Sequence, residues 1–198
     1  MSEGYYLYQF NEHVDSSCKC LFEKFGLPKT VIEVGVYQGY FSINMTHTIA
    51  PKYPLYKHYA IDPFTSSPDL DNDMILQAYE CFTHNLNLSP YKNNIEFIRK
   101  PSHIGLLELI YRGVKADLIY IDGDHTSPVV LQDLVLGYQL INEGGVILCD
   151  DSVTWGKEFS LQDTPRLAID SFIQCFWGKI EVIILPNSYQ TAFIKRGN

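Results

Sequence analysis

No CxxC pair occurs in the chain, and its five cysteines stand at no metal-ligand spacing with its six histidines. Neither a disulfide framework nor a zinc site is therefore expected. Cys18 and Cys20 fall on one expected helix and read as ordinary residues of a reducing compartment. No apolar run reaches the roughly 18 residues that a membrane span requires. The opening MSEGYYLYQFNEH has no basic segment ahead of an apolar stretch, so it does not read as a secretory leader. Positive charge is scarce too: 15 Lys and Arg against 23 Asp and Glu leave a net charge of −8. A grip on nucleic-acid phosphates needs the clustered basic residues that this balance argues against. No repeat, low-complexity tract or linker divides the 198 residues. One domain spanning 1–198 is expected, soluble and cytoplasmic, with neither nucleic acid nor membrane as a partner.

With 46% hydrophobic residues the chain can bury a full core. Short β-branched or aromatic runs alternate with longer amphipathic segments, the pattern of strands joined by crossover helices. Strands are expected at 30–35, 57–61, 94–98, 116–121, 145–149, 180–185 and 189–195. Helices are expected at 11–25, 39–50, 72–86, 102–112, 128–141 and 164–176. Pro128 and Pro165 each suit a first helical turn, where a missing N–H costs nothing. The last two strands are separated only by Pro186 to Ser188, too short for a crossover helix, so they must form a hairpin. The fold class expected is α/β: a Rossmann-like three-layer αβα sandwich, its seven-stranded sheet mostly parallel with one antiparallel strand from the C-terminal hairpin. Such sheets bind ligands at the carboxyl ends of their strands. Gly35, Asp62, Asp122, Asp124, Asp150 and Asp151 all fall there.

The run VIEVGVYQGYFSINM, 31–45, carries one carboxylate, Glu33, and breaks on Gly35 and Gly39. A dinucleotide fingerprint starting at Gly35 would need glycine where Tyr37 and Tyr40 stand, and a phosphate-binding loop would need Lys then Ser or Thr after Gly39. Both phosphate readings are weakened. A carboxylate inside an apolar strand is costly without a partner, so Glu33 is a ligand-site candidate, with a lysine partner or a cap as the plainer reading. Asp62, ending the second strand, has two oxygens that match a vicinal diol such as a ribose, although a turn role before Pro63 is nearly as common. Asp122, Asp124, Asp150 and Asp151 meet on one rim, where a divalent cation would relieve their repulsion.

On these residues the chain resembles the class I S-adenosylmethionine-dependent methyltransferases over nearly all its length. EVGVYQG (33–39) looks like the family's glycine turn, AIDPF (60–64) like its ribose-binding segment, and RKPSH (99–103) stands where it places adenine contacts. DLIYIDGDH (117–125) and EGGVILCDD (143–151) resemble the small sugar and macrolide O-methyltransferase branch. The resemblance implies S-adenosylmethionine held by Glu33, Gly35, Val36, Tyr37, Gly39, Asp62, Ser102 and Asp122. It implies Mg²⁺ on Asp122, Asp150 and Asp151, with Asp124 as base and His125 as its competitor, whose ordinary pKa of about 6.5 suits proton removal near neutrality. The methyl acceptor would be a hydroxyl on a small molecule or sugar. A silent cofactor-binding protein of the same fold stands as the alternative, and an NAD-linked oxidoreductase as the third reading. Segments 1–20, 64–90 and 152–163 would shape the substrate pocket. Trp155 either covers the site or anchors its loop. Tyr5, Tyr6 and Tyr8 serve a pocket, plain packing or a contact between copies in a homo-oligomer.

Overall fold

The computed structural model describes residues 12–65, 71–152, 160–185 and 189–197. The elements run α1 (Glu12–Phe25), β1 (Thr30–Val34), α2 (Tyr40–Ile49), β2 (Lys57–Ile61), α3 (Asn72–Leu88), β3 (Ile95–Ile98), α4 (Ser102–Tyr111), β4 (Ala116–Ile121), α5 (Ser127–Leu140), β5 (Ile141–Cys149), α6 (Arg166–Cys175), β6 (Ile180–Ile184) and β7 (Thr191–Lys195). All seven strands join one sheet in the order β3-β2-β1-β4-β5-β7-β6. The first five are mutually parallel, and β7 inserts antiparallel between β5 and β6. The expected fold class is what the chain adopts.

Alternation along each strand sorts the core into two layers. Ile32, Val34, Ile119, Ile121, Ile147 and Phe193 pack with α4, α5 and α6. Val31, Leu118, Tyr120, Val146, Leu148 and Ala192 pack with α1 and α2, while Ala60 packs with α2 and α3. Three helices therefore cover each face, and the central strands are apolar on both sides for that reason.

Most boundaries agree with the sequence reading to within one or two residues, the ordinary fraying of element ends. Two differences have causes. β5 begins at Ile141 rather than Gly145 because Ile141 already pairs with Ala116. The chain then bulges through residues 142–145, with Gly144 at φ 76°, before Val146 pairs with Leu118. Pro165 precedes α6 as its cap instead of lying in its first turn, whereas Pro128 does occupy the first turn of α5. Pro186 to Ser188, the expected hairpin turn, lie outside the described residues.

Asp133, in the middle of α5, is fully buried and neither carboxylate oxygen has a hydrogen-bond partner. Burial pushes its carboxyl up to about 7, the Ser102 hydroxyl at the start of α4 pulling it back and Asp124 adding to the rise. The folded state thus holds a proton that the unfolded chain, with an aspartate pKa of about 3.9, releases. Stability from this group is whole below pH 4, falls as pH rises through the window from about 4 to about 7, and is lost above it. Asp133→Asn removes the ionisable group while keeping the shape. Chemical denaturation should find the variant more stable than the parent by about 1–3 kcal/mol at pH 8, since one pKa unit is worth about 1.4 kcal/mol, and the gap should close towards pH 4. An Asn variant that is less stable at pH 8 would show that the ionised carboxylate is a stabilising partner.

Candidate active site

The order of the sheet changes direction between β1 and β4, and there the chain leaves β1 through Gly35. Its amide donates to the Ile61 carbonyl at 3.0 Å, and the Asp122 amide donates to the Val34 carbonyl at 2.8 Å. Gly35 has φ 86°, and a Cβ added to it would stand 2.0 Å from the main-chain oxygen of Asp122. Only glycine fits. Gly39, at φ 84°, opens α2, where a Cβ would meet the Phe82 ring of α3 at 2.5 Å.

Asp62 fixes the turn between these glycines. Its Oδ2 accepts from the amides of Val36 at 2.8 Å and Tyr37 at 3.2 Å, and its Oδ1 accepts from the Phe64 amide at 2.7 Å. The turn role, read from sequence as nearly as common as ribose binding, is thus present. A carboxylate has about four acceptor positions, so a diol is not shut out. Among the described residues, the non-glycine residues with positive φ are Tyr37, Phe64 and Asp151, at the ends of β1, β2 and β5. Such conformations cost about 1–3 kcal/mol each and gather at functional sites.

Glu33 is buried, 1% exposed, and its partners are not lysines. Its Oε2 receives the Ser42 hydroxyl of α2 and lies 2.7 Å from His58 Nε2 on β2. Burial raises its pKa, and His58 and Ser42 pull it back. Glu33 also lines a cavity of about 90 Å³, together with Gly35, Val36, Tyr37, Tyr120 and Asp122. No Lys or Arg is among the described lining residues.

Tyr120 organises the acidic rim from below. Its hydroxyl lies 2.9 Å from Asp122 Oδ2 and 2.5 Å from Asp150 Oδ2. Gln190, just ahead of β7, donates to the same Asp150 oxygen at 2.8 Å, and the Asp151 amide donates to Oδ1 at 2.9 Å. Asp150 is therefore held within the protein. Among the described residues, those that could grip one ion are Asp122, His125 and Asp151, with ligand atoms all within 4.8 Å of one another. This departs from the expected trio: His125 stands where Asp150 was placed, because Asp150 is turned towards Tyr120 and Gln190. His125 Nε2 is 3.2 Å from Asp151 Oδ2 and 3.5 Å from Asp122 Oδ1. Burial pushes the Asp122 carboxyl up to about 6, with His125 opposing and Asp150 reinforcing the rise. Two carboxylates and an imidazole fit a divalent cation, and the nitrogen widens the choice beyond Mg²⁺ to Mn²⁺ and its neighbours.

Asp124 accepts from the amide and hydroxyl of Thr126 through Oδ1, at 2.8 and 2.6 Å, and so shapes the entry to α5. Ser102 opens α4 beside Asp133 and does not line the cavity. Trp155, Tyr5, Tyr6 and Tyr8 lie outside the described residues. The sequence reading missed Tyr120, Gln190 and His58. Tyr120 sits one position into the strand from Ile121, where an alternating pattern marks only a buried side chain. His58 has no motif, and the contact between Gln190 and Asp150 spans 40 residues.

A seven-stranded sheet with an inserted antiparallel strand and an acidic rim beside a glycine turn defines a methyltransferase class. The family described as "Methyltransferase domain" matches residues 32–152. The chain belongs to it. No curated protein matches the chain. Among solved structures it is similar to cofactor-bound Rv0187 from MTB, with a TM-score of 0.70 at 14% identity, covering 100% of this chain and 86% of that one. It is also similar to the O-methyltransferase TomG from Streptomyces achromogenes, involved in Tomaymycin synthesis and solved in complex with SAM, with a TM-score of 0.67, 14% identity, and 95% and 82% coverage. The SAH-bound methyltransferase PaMTH1 from Podospora anserina gives 0.65, 18% identity, and 96% and 80% coverage. Among the described residues no helix is long and apolar enough to cross a membrane.

Gly35→Ala should disable the site. A side chain at positive φ costs about 1–2 kcal/mol, and here the Cβ also meets main chain at β4, which cannot rotate aside. A drop in melting temperature together with loss of ligand-induced stabilisation is the expected result. An alanine variant that melts and binds like the parent would mean that β1 and β4 are further apart than described.

Proposed function

We propose that the chain transfers a methyl group from S-adenosylmethionine to a hydroxyl oxygen of a small molecule or sugar. The carrying observation is the charge of the cavity beside the glycine turn: among the described residues Glu33 and Asp122 line it, and no Lys or Arg does. A ligand with an ammonium and a sulfonium suits these walls, whereas a pyrophosphate would meet carboxylates and no cation. TomG with SAM and PaMTH1 with SAH support the same ligand class.

In the proposed reaction the acceptor oxygen attacks the methyl carbon in line, the carbon–sulfur bond breaks, and the sulfonium leaves as a thioether. The protein's part is alignment, exclusion of water and removal of the hydroxyl proton. Asp62 holds the glycine turn along which the nucleoside would lie, and its remaining acceptor capacity suits the ribose diol. Ser102 is the adenine-side candidate. A divalent cation, Mg²⁺ or a close relative, would be held by Asp122, His125 and Asp151, and when bound would lower the pKa of the acceptor hydroxyl.

His125 cannot both ligate a cation and accept the acceptor's proton through the same nitrogen. With a cation bound, Asp124 is the base candidate; without one, His125 is the better candidate, since two carboxylates flank it.

Calorimetry should show micromolar binding of S-adenosylhomocysteine and none of NAD. Transfer of a labelled methyl group into a panel of hydroxylated metabolites should then reveal the acceptor. EDTA should abolish that transfer, and Mg²⁺ or Mn²⁺ should restore it. Transfer that survives EDTA but falls roughly 10²–10⁴-fold in His125→Ala assigns the base to His125 and removes the cation. Binding of NAD in place of the homocysteine compound would overturn the reading altogether.

A further inference from the structure

Behind the cavity lies a row of buried polar groups that the reaction above does not use. Tyr56 and His58 are both 0% exposed. The Tyr56 hydroxyl lies 2.9 Å from His58 Nδ1, and His58 Nε2 lies 2.7 Å from Glu33 Oε2. The rings seal the row: Phe41 is tilted against His58 at 5.9 Å and stacked on Tyr120 at 4.3 Å.

Hydrogen-bond chemistry fixes the sense of the row. A carboxylate only accepts, so His58 donates from Nε2, and its Nδ1 is then the acceptor for the Tyr56 hydroxyl. Every polar atom of the two residues has a use in that arrangement. Both donors to Glu33, His58 and Ser42, fall on Oε2. Oε1 is left without a hydrogen-bond partner among the described residues, on a residue that lines the cavity.

We infer that Tyr56 and His58 are positioning residues that hold Glu33 by one oxygen, so that the other receives the cationic amino group at the amino-acid end of the cofactor. The inference rests on the cofactor reading above and deepens it: His58 touches no ligand and acts through Glu33. It makes a selective claim. Ligands that carry the amino-acid tail should depend on the row, and nucleosides that lack it should not.

The experiment compares S-adenosylhomocysteine with 5′-methylthioadenosine, which keeps the nucleoside and thioether and lacks the amino acid. His58→Leu should weaken the first at least tenfold in calorimetry and leave the second within twofold. His58→Gln, whose amide can still donate to Glu33, should recover most of the lost affinity. Tyr56→Phe removes only the hydroxyl that sets the imidazole, and should give a smaller loss, two- to fivefold, with the same selectivity. It also carries the test if the leucine variant does not fold. Equal losses for both ligands, or an unchanged affinity for the first in every variant, would overturn the positioning role while leaving the cofactor reading intact. A parent protein that binds neither ligand overturns both.

Discussion

The contact on which the rest depends is that of Gly35 with the main chain at Asp122. Two parallel strands at the centre of a sheet diverge beyond their last hydrogen bonds, and ligands enter the gap. Here the gap is held nearly shut, because Gly35 brings no side chain to the Asp122 carbonyl. The consequence is chemical as well as steric. Glu33, on β1, and Asp122, leaving β4, come to wall the same small cavity. Asp62 then clamps the turn from the other side through three main-chain amides. The strained residues Tyr37 and Phe64 lie within two residues of that clamp, and it is what holds them.

A site built from so many carboxylates must answer its own repulsion. The chain does so in three different ways. Glu33 is given hydrogen-bond donors, Ser42 and His58, in a setting that excludes water. Asp122 and Asp150 share a phenol, and Gln190 supports Asp150 further. Asp122 and Asp151 face an imidazole. None of these devices supplies a Lys or Arg to the cavity, so negative potential is kept for whatever binds there.

Much of this was legible before any coordinates. Strand and helix order, the hairpin and the two special glycines follow from local pattern, which is strong where both faces of a strand are apolar. The positions of Asp62, Asp122 and Asp151 followed from the rule that functional residues end strands. What was not legible depends on side-chain direction and long-range pairing. Nothing in the dipeptide Asp150-Asp151 says which acid turns inward, and the answer depends on Gln190, 40 residues away. His58 looked like any histidine in a strand. Its register beside Val31 places it on the same face as Glu33, and that register is a property of the assembled sheet. Asp133 was invisible for the opposite reason, since an acid on a helix is ordinarily solvated and only the assembled packing of α5 against its neighbours buries it.

The inserted strand gives the architecture a local purpose. If β6 followed β5 directly as another parallel neighbour, the end of β5 would meet only the next crossover. Because β7 runs antiparallel beside β5, its leading residues arrive where β5 stops. Ser152 donates both its amide and its hydroxyl to the Tyr189 carbonyl at 2.6 Å, and Gln190 reaches Asp150. Asp151 is caught between these anchors at φ 50° and presents its carboxylate to His125. The hairpin that a short spacer forces on the sequence is thus what fixes one wall of the rim. Changes in the hairpin should reach the chemistry through main-chain position, without touching any residue that meets a ligand.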